Sequence, residues 1–357
     1  MADDRTLWDG WSPEMARSYV AHRVERPIAL NGRMSDPQWA AVRWTDDFVD
    51  IQGDARPRPR YRTRAKICWD EAHLYIAAEM EEPHVWATLT RRDSVIFHDN
   101  DFEVFIDPDG DQCDYYELEI NAVGTVWDLR LPRPYRDGGE AINEWDISGL
   151  RTAVHIDGTL NDPSDIDRGW SVEIAIPWRA LAEFSHAPAP PRDGDQWRIN
   201  FSRVQWHATP IPAGEAPLPQ ADPALASADA PILAPYRKVS GKPEDNWVWS
   251  PQGVIDMHRP ERWGCVQFTN APPGTPVPFT PDPLAHAKWY LQRVHEAQKL
   301  YRAAEGRWAD DVAALSVPAL PQVRLRRLIA SREGYLLTVE SAGATLERTA
   351  TRGPVIV

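Results

Sequence analysis

The chain has 357 residues, 43% of them hydrophobic and 26% charged, which is enough for one large all-β domain with an appendage, or for two domains, each with a buried core. Its 53 acidic against 39 basic side chains leave a formal charge of -14, a field that repels phosphate backbones and anionic lipid and argues against nucleic acid as a partner. No apolar run reaches the roughly 20 residues that span a bilayer, so a membrane is not expected either.

In chain order, the N-terminus MADDRTLWDGW lacks the basic and apolar regions of an export signal, which leaves localisation open. Ten short segments then read as strands, at 64–70, 73–80, 101–107, 114–121, 125–131, 151–157, 170–176, 196–206, 246–250 and 263–268. They are rich in β-branched and aromatic residues, often alternate, and are separated by turn signals such as Pro108-Asp109-Gly110 and Asp193-Gly194-Asp195. About ten strands joined by short connections predict an antiparallel β-sandwich. Pro177 opens a single helical turn over 177–181. Residues 208–235, rich in Pro and Ala, read as a long surface loop.

A Pro-rich stretch at 271–283 reads as a linker after a domain spanning 1–270. Beyond it, Leu284, Ala287, Leu291, Val294 and Gln298 keep helical spacing until Gly306. Short strands are expected over 324–357, so 284–357 forms a helical appendage. Trp289, Tyr290, Tyr301 and Trp308 on and after that helix need a surface to cover, which predicts docking on the sandwich. The three cysteines Cys68, Cys113 and Cys265 cannot all pair and have no metal-ligand spacing, so buried thiols are expected.

Seventeen tryptophans are more than a core of this size needs. Trp joins a flat apolar face to an N–H donor, and sugars present flat C–H faces ringed by hydroxyls. In DFEVFID the two-residue period sends Phe102, Val104 and Ile106 to one face and Asp101, Glu103, Phe105 and Asp107 to the other. In YELEIN, Glu117, Glu119 and Asn121 share a face. Paired, these strands form a polar patch, either a solvated sheet face or a ligand floor.

The order of motifs resembles the family-nine carbohydrate-binding modules and their DOMON-like relatives. The carriers are ALNGRMSDPQWAAV (29–42), AKICWDEAHLYIAAEMEEP (65–83), FHDNDFEVFIDPDGD (97–111), GWSVEIAIPWRAL (169–181) and RPERWGCVQF (259–268), over roughly residues 20–270. The resemblance implies a carbohydrate, poly- or oligosaccharide, held between two aromatic rings with a carboxylate, an Arg and Asn or Gln on its hydroxyls. Carried over, the carboxylate is Glu103, the first aromatic Phe97 in place of Trp, and the amide Asn121. Glu119 stands where the family has Arg, Ser202 where it has Gln, with Arg203 beside it, and Trp247 or Trp249 is the second aromatic. If the N-terminus is incomplete, the resemblance suggests an extracellular or periplasmic protein.

Asp107, Asp109, Asp111 and Asp114 crowd four carboxylates around Gly110, a donor set suited to Ca²⁺ or an ordinary acidic hairpin. The resemblance implies structural calcium. Asp162, Asp165 and Asp167 form a weaker acidic turn. The loop 127–139, with Trp127, Arg133, Tyr135 and Arg136, follows the floor strand and is expected to close over it with positive charge. No nucleophile, phosphate-loop or HExxH motif is present, so a non-catalytic binder is expected. The alternative is a glycoside-cleaving enzyme using Glu103 and Glu119 on adjacent strands.

Overall fold

The computed structural model describes residues 11–212, 215 and 235–357. Much of the expected 208–235 loop lies outside them. In chain order the strands are β1 (Ser18–Arg23), β2 (Val49–Asp50), β3 (Thr63–Trp69), β4 (His73–Glu81), β5 (Asp101–Asp107), β6 (Tyr115–Asn121), β7 (Val126–Leu131), β8 (Arg151–Asp157) and β9 (Gly169–Pro177). The turn α1 (Trp178–Leu181) leads to β10 (Gln196–Gln205), β11 (Ala208–Pro210), β12 (Tyr236–Lys238), β13 (Asp245–Val248) and β14 (Gly264–Thr269). The helix α2 (Ala285–Glu305) precedes β15 (Arg324–Ala330), β16 (Tyr335–Ser341), β17 (Ala344–Thr349) and β18 (Val355–Ile356).

One curled sheet runs β7-β6-β5-β10-β14-β1-β3-β4-β9-β8, with β13 added to β10 and β2 to β13. Its two halves face each other across one core. Phe102, Val104, Ile106 and Phe201 from one half meet Ile67, Ile76, Val172 and Ile174 from the other. Sandwich-like all-β architecture is therefore present, but the expected purely antiparallel order is corrected. β1 lies parallel to β14, Tyr19 opposite Val266, and parallel to β3, His22 opposite Cys68. This strand, not recognised in the sequence, joins the halves: Tyr19 and Ala21 enter the core, while its edges complete the ladders of β14 and β3.

Most tryptophans serve packing. Trp178 lies edge-on to Trp197 at 5.5 Å and to Trp69 at 6.2 Å. The opening motif straps the outer face of β3, β4 and β9, where the Trp39 indole donates to buried Glu173 at 2.6 Å. Glu173 also accepts the Asn31 amide at 2.9 Å, so this carboxylate anchors the strap. Cys68 is buried and Cys113 and Cys265 half-buried, all as thiols.

The C-terminal part has its own core. Ala287, Leu291 and Val294 of α2 pack on Leu337, Val339 and Leu346 of the β15–β18 sheet, with Trp308 and Tyr335 between. It docks on the sandwich through charge. Arg136 donates to Glu261 at 2.8 Å and to Glu296 of α2 at 3.2 Å. Asp137 meets His295 at 3.0 Å and Lys299 at 2.8 Å. Desolvation opposes the ionisation of Asp137, yet the His295 hydrogen bond with Arg136 and Lys299 holds its carboxyl well below the usual range. Residues 271–283 do not hang free, since Gln267 bonds both Pro278 O at 3.1 Å and the Thr280 amide at 2.8 Å.

Removing one partner from a buried ion network leaves uncompensated charge. Arg136→Met strands Glu261, leaves Glu296 to Lys299 and should lower unfolding stability by about 3–5 kcal/mol in urea titrations. A loss below about 1 kcal/mol, the range of exposed pairs, would show that this contact does not hold the appendage.

Candidate functional site

The outward face of the β5-β6-β10 half carries an unusual set of acids. Glu103 lies directly opposite Glu119 on β6 and Ser202 on β10, and Asp101 lies opposite Asn121. Strand periodicity turns these side chains away from the core that Phe102 and Val104 enter. Asp101, Glu103 and Glu119 each bring one oxygen within 4.8 Å of the other two. All are buried, as is Glu117. Burial raises the Glu103 carboxyl to about 7. It raises Asp101, Glu117 and Glu119 well above the carboxylate range, with the charge of Glu103 adding to each.

An aromatic rim stands beside these acids. The segment before β5 is pinned by buried Asp99, which accepts from the Thr88 amide at 2.8 Å, the Leu89 amide at 2.9 Å and Asn121 Nδ2 at 3.0 Å. This puts the Phe97 amide on Glu119 Oε2 at 2.9 Å. The half-buried Phe97 ring lies 6.3 Å from Trp127, and Trp206 Nε1 donates to Phe97 O at 2.8 Å. Lys238 sits over the Trp206 ring at 3.4 Å; burial lowers its ammonium to about 8. Tyr135, 47% exposed, has its hydroxyl raised to about 12 by burial and by the charges of Glu117 and Glu119. It meets His258 edge-on at 4.5 Å, and burial lowers that imidazole to about 4, so it is neutral at pH 7. Flat faces above hydrogen-bonding carboxyls are the chemistry a polyhydroxylated ring needs.

Of the residues expected to bind, Phe97, Glu103, Glu119 and Ser202 come together here. Asn121 lies beneath them with its amide engaged, donating to Leu89 O at 2.8 Å and accepting the Thr125 amide at 3.0 Å. On the outward face its amide braces the Phe97 segment. Arg203 follows Ser202 and so points the other way, into a buried pairing with Glu82 at 2.9 Å. Trp247 pairs with Arg203 and shares its inward side. Both Trp247 and Trp249 are core residues, 2% and 1% exposed, and neither offers a face for stacking. The Trp249 ring fills the space a side chain at Gly264 would take, 2.3 Å from its Cβ position. The expected 127–139 loop is corrected, because its first five residues belong to β7; Trp127 of β7 and Tyr135 after it do reach the rim, but Arg136 turns to α2 and restores no positive charge. Trp206, His258 and Lys238 are rim residues not singled out as ligand contacts in the sequence. Trp206 was visible as the residue ending the β10 pattern, whereas Lys238 and His258 are brought in by distant segments.

At the acidic turn, Asp107, Asp109 and Asp111 each offer one oxygen within 4.8 Å of the others. Asp114 is not among them, because it pairs with Arg130. Asp107 accepts the Gly110 and Gln112 amides, both at 2.9 Å, and Gly110 takes the φ of +67° the turn requires. Burial, then the charge of Asp109, raises Asp107 well above its range and Asp111 to about 7. The 161–170 turn is structural, since Asp167 accepts the Val85 and Thr159 amides, both at 2.7 Å.

The assignment of Trp249 to the core has a measurable consequence. Trp249→Ala should lower unfolding stability by about 3–5 kcal/mol, read from the urea midpoint. A stable variant defective only in ligand binding would return Trp249 to the site.

No curated protein sequence matches this chain. A structure of a candidate carbohydrate-binding protein from Bacteroides uniformis aligns with a TM-score of 0.47 at 16% identity, covering 71% of this chain and 99% of that one. A family 9 carbohydrate-binding module from Caldicellulosiruptor kristjanssonii, solved with cellotriose and with glucose, aligns in both cases with a TM-score of 0.40 at 14% identity, covering 74% of this chain and 100% of that one. The family model described as "Carbohydrate family 9 binding domain-like" matches residues 30–191, from the Trp39 strap to the segment before β10. The likeness to that family thus rests on this stretch, a little under half of the chain.

Proposed function

We propose that the chain binds carbohydrate without cleaving it, on the outer face of β5, β6 and β10. The observation that carries this reading is the cross-strand pair Glu103–Glu119 beside the Phe97–Trp127 rim, within a stretch that matches a carbohydrate-binding family. Ring faces of Phe97, Trp127 and Trp206 take C–H faces, and the carboxyls take hydroxyls. Tyr135 and the neutral His258 add polar tips at the edge. The enzyme reading draws on the same acids, but these stand side by side on one surface with two more carboxyls, Asp101 and Glu117. A general acid and its partner must instead flank the scissile bond.

Calorimetric titration with glucose and cellotriose tests the proposal. Phe97→Ala should weaken binding about tenfold, the worth of a stacking contact. Glu103→Gln should weaken it about tenfold or more through loss of a charged hydrogen bond, with melting temperature retained in both. Absence of binding across a glycan array would overturn the reading, and so would cleavage products that disappear in Glu103→Gln.

The turn at Asp107, Asp109 and Asp111 is read as a structural Ca²⁺ site. Three oxygens around a glycine turn are the donors such an ion takes, and the ion would relieve the mutual repulsion of acids that burial leaves poorly solvated. Chelator should lower the melting temperature, and Asp109→Ala should diminish that drop. An unchanged melting curve would mean that the turn is stabilised by its backbone hydrogen bonds alone.

A further inference from the structure

Four clusters of acids in the described residues bring three ligand atoms within 4.8 Å of one another, and they differ in what neutralises them. Asp137 with His295 and Glu296 is served by Arg136 and Lys299. Asp93, Asp128 and Asp146 all pair with Arg92. At the Asp107–Asp111 turn the charge of Arg352 acts on Asp111. The fourth cluster is Asp101, Glu103 and Glu119. Among the described residues no cation forms an ion pair with any of the three. Lys238, whose charge acts on Asp101 through space, sits over Trp206 and pairs with none of them. Residues 213–234 contain no Lys, Arg or His to supply one.

A second feature marks this cluster. Asp101 is fully buried and its Oδ1 accepts the Val204 amide at 3.1 Å, yet its Oδ2 has no hydrogen-bond partner. An unpartnered buried carboxylate oxygen has lost its water without gaining a partner, which is unfavourable and calls for an explanation. Strand pairing locks the acids in this arrangement, because Glu103 and Glu119 are direct cross-strand neighbours and like charges so placed repel. The separations lie within the roughly 5 Å between opposite ligands of a calcium ion, whose bonds are about 2.3–2.6 Å. The buried Ser202 hydroxyl, directly opposite Glu103, adds a neutral oxygen beside them.

We infer that Asp101, Glu103 and Glu119 hold a calcium ion on the outer face of the sheet, beside the Phe97 rim. A bound ion gives Asp101 Oδ2 a partner and neutralises acids that form no ion pair among the described residues. It also has coordination positions left for hydroxyl oxygens of a ligand, since calcium takes 6–8 oxygens. The inference concerns the cation alone and stands apart from the carbohydrate reading. Calcium titration tests the former and cellotriose titration in chelator tests the latter, so either can fail without the other.

The test is calorimetric titration of the chelator-stripped full chain with calcium chloride in 150 mM salt, about the physiological strength that screens diffuse attraction. Glu119→Gln and, as a second variant, Asp101→Asn are compared with Asp109→Ala, which leaves this cluster intact. The expected result is that each cluster variant loses one equivalent of calcium, or weakens it at least tenfold, while Asp109→Ala retains that equivalent. Circular dichroism confirms that the variants are folded, and either folded variant suffices. Equal calcium uptake by wild type and both cluster variants overturns the inference. So does the absence of calcium uptake by Asp109→Ala, which would mean that protons alone neutralise the cluster.

Discussion

The pleat of β5 sets the terms for the rest of the molecule. Its alternate residues Phe102, Val104 and Ile106 must enter the core, and that forces Asp101, Glu103 and Asp107 onto the opposite face. A strand flanked by β6 on one side and β10 on the other cannot rotate to relieve them. The outer face is then roofed by the Phe97 segment, by the loop after β7 and by residues 251–263, so acids that would be solvated on an ordinary sheet are buried. Their shared burial makes this surface chemically distinct: oxygen-rich, poor in cations and edged by rings.

The same roof explains why the C-terminal part belongs to the site's architecture. Tyr135 of the rim precedes Arg136 and Asp137, the two residues that clamp α2. Glu261, which shares Arg136, follows His258 by three residues on the other rim loop. The loop after β7 is thus tied by ion pairs both to the helix and to the other rim loop, and the helix is in turn fixed by its own small sheet. On this geometry the appendage holds the edge of the acidic face in place from behind.

The acids also separate by what surrounds them. Where a guanidinium and an ammonium are both at hand, as around Asp137, the carboxyl is held ionised despite burial, whereas at Glu82 the Arg203 guanidinium does not offset it. Where none is, as at Glu103, the carboxyl moves toward protonation. Burial alone therefore does not decide the charge of these groups; it is set against all the cations and hydrogen-bond donors that meet each carboxyl.

Read by itself, the sequence determined the strands of the sandwich, the helix after the Pro-rich stretch and the outward face of β5 and β6, because these follow from two-residue and 3.6-residue periods within one segment. It also brought Phe97, Glu103 and Glu119 to one surface, since they lie on or beside neighbouring strands. Only the tertiary structure decided the rest. β1 is a short N-terminal strand whose parallel partners lie 46 residues and more away (His22 to Cys68), and no local pattern announces parallel pairing. Trp247, Trp249 and Arg203 turn inward because β13 joins β10 in a register that puts Trp247 opposite Arg203. Asn121 and Arg136 are spent on Asp99, Glu261 and Glu296, partners supplied by distant segments. Residue type and spacing say which groups are able to meet a ligand. Which of them remain free to do so depends on long-range hydrogen bonds and ion pairs that only the folded chain assembles.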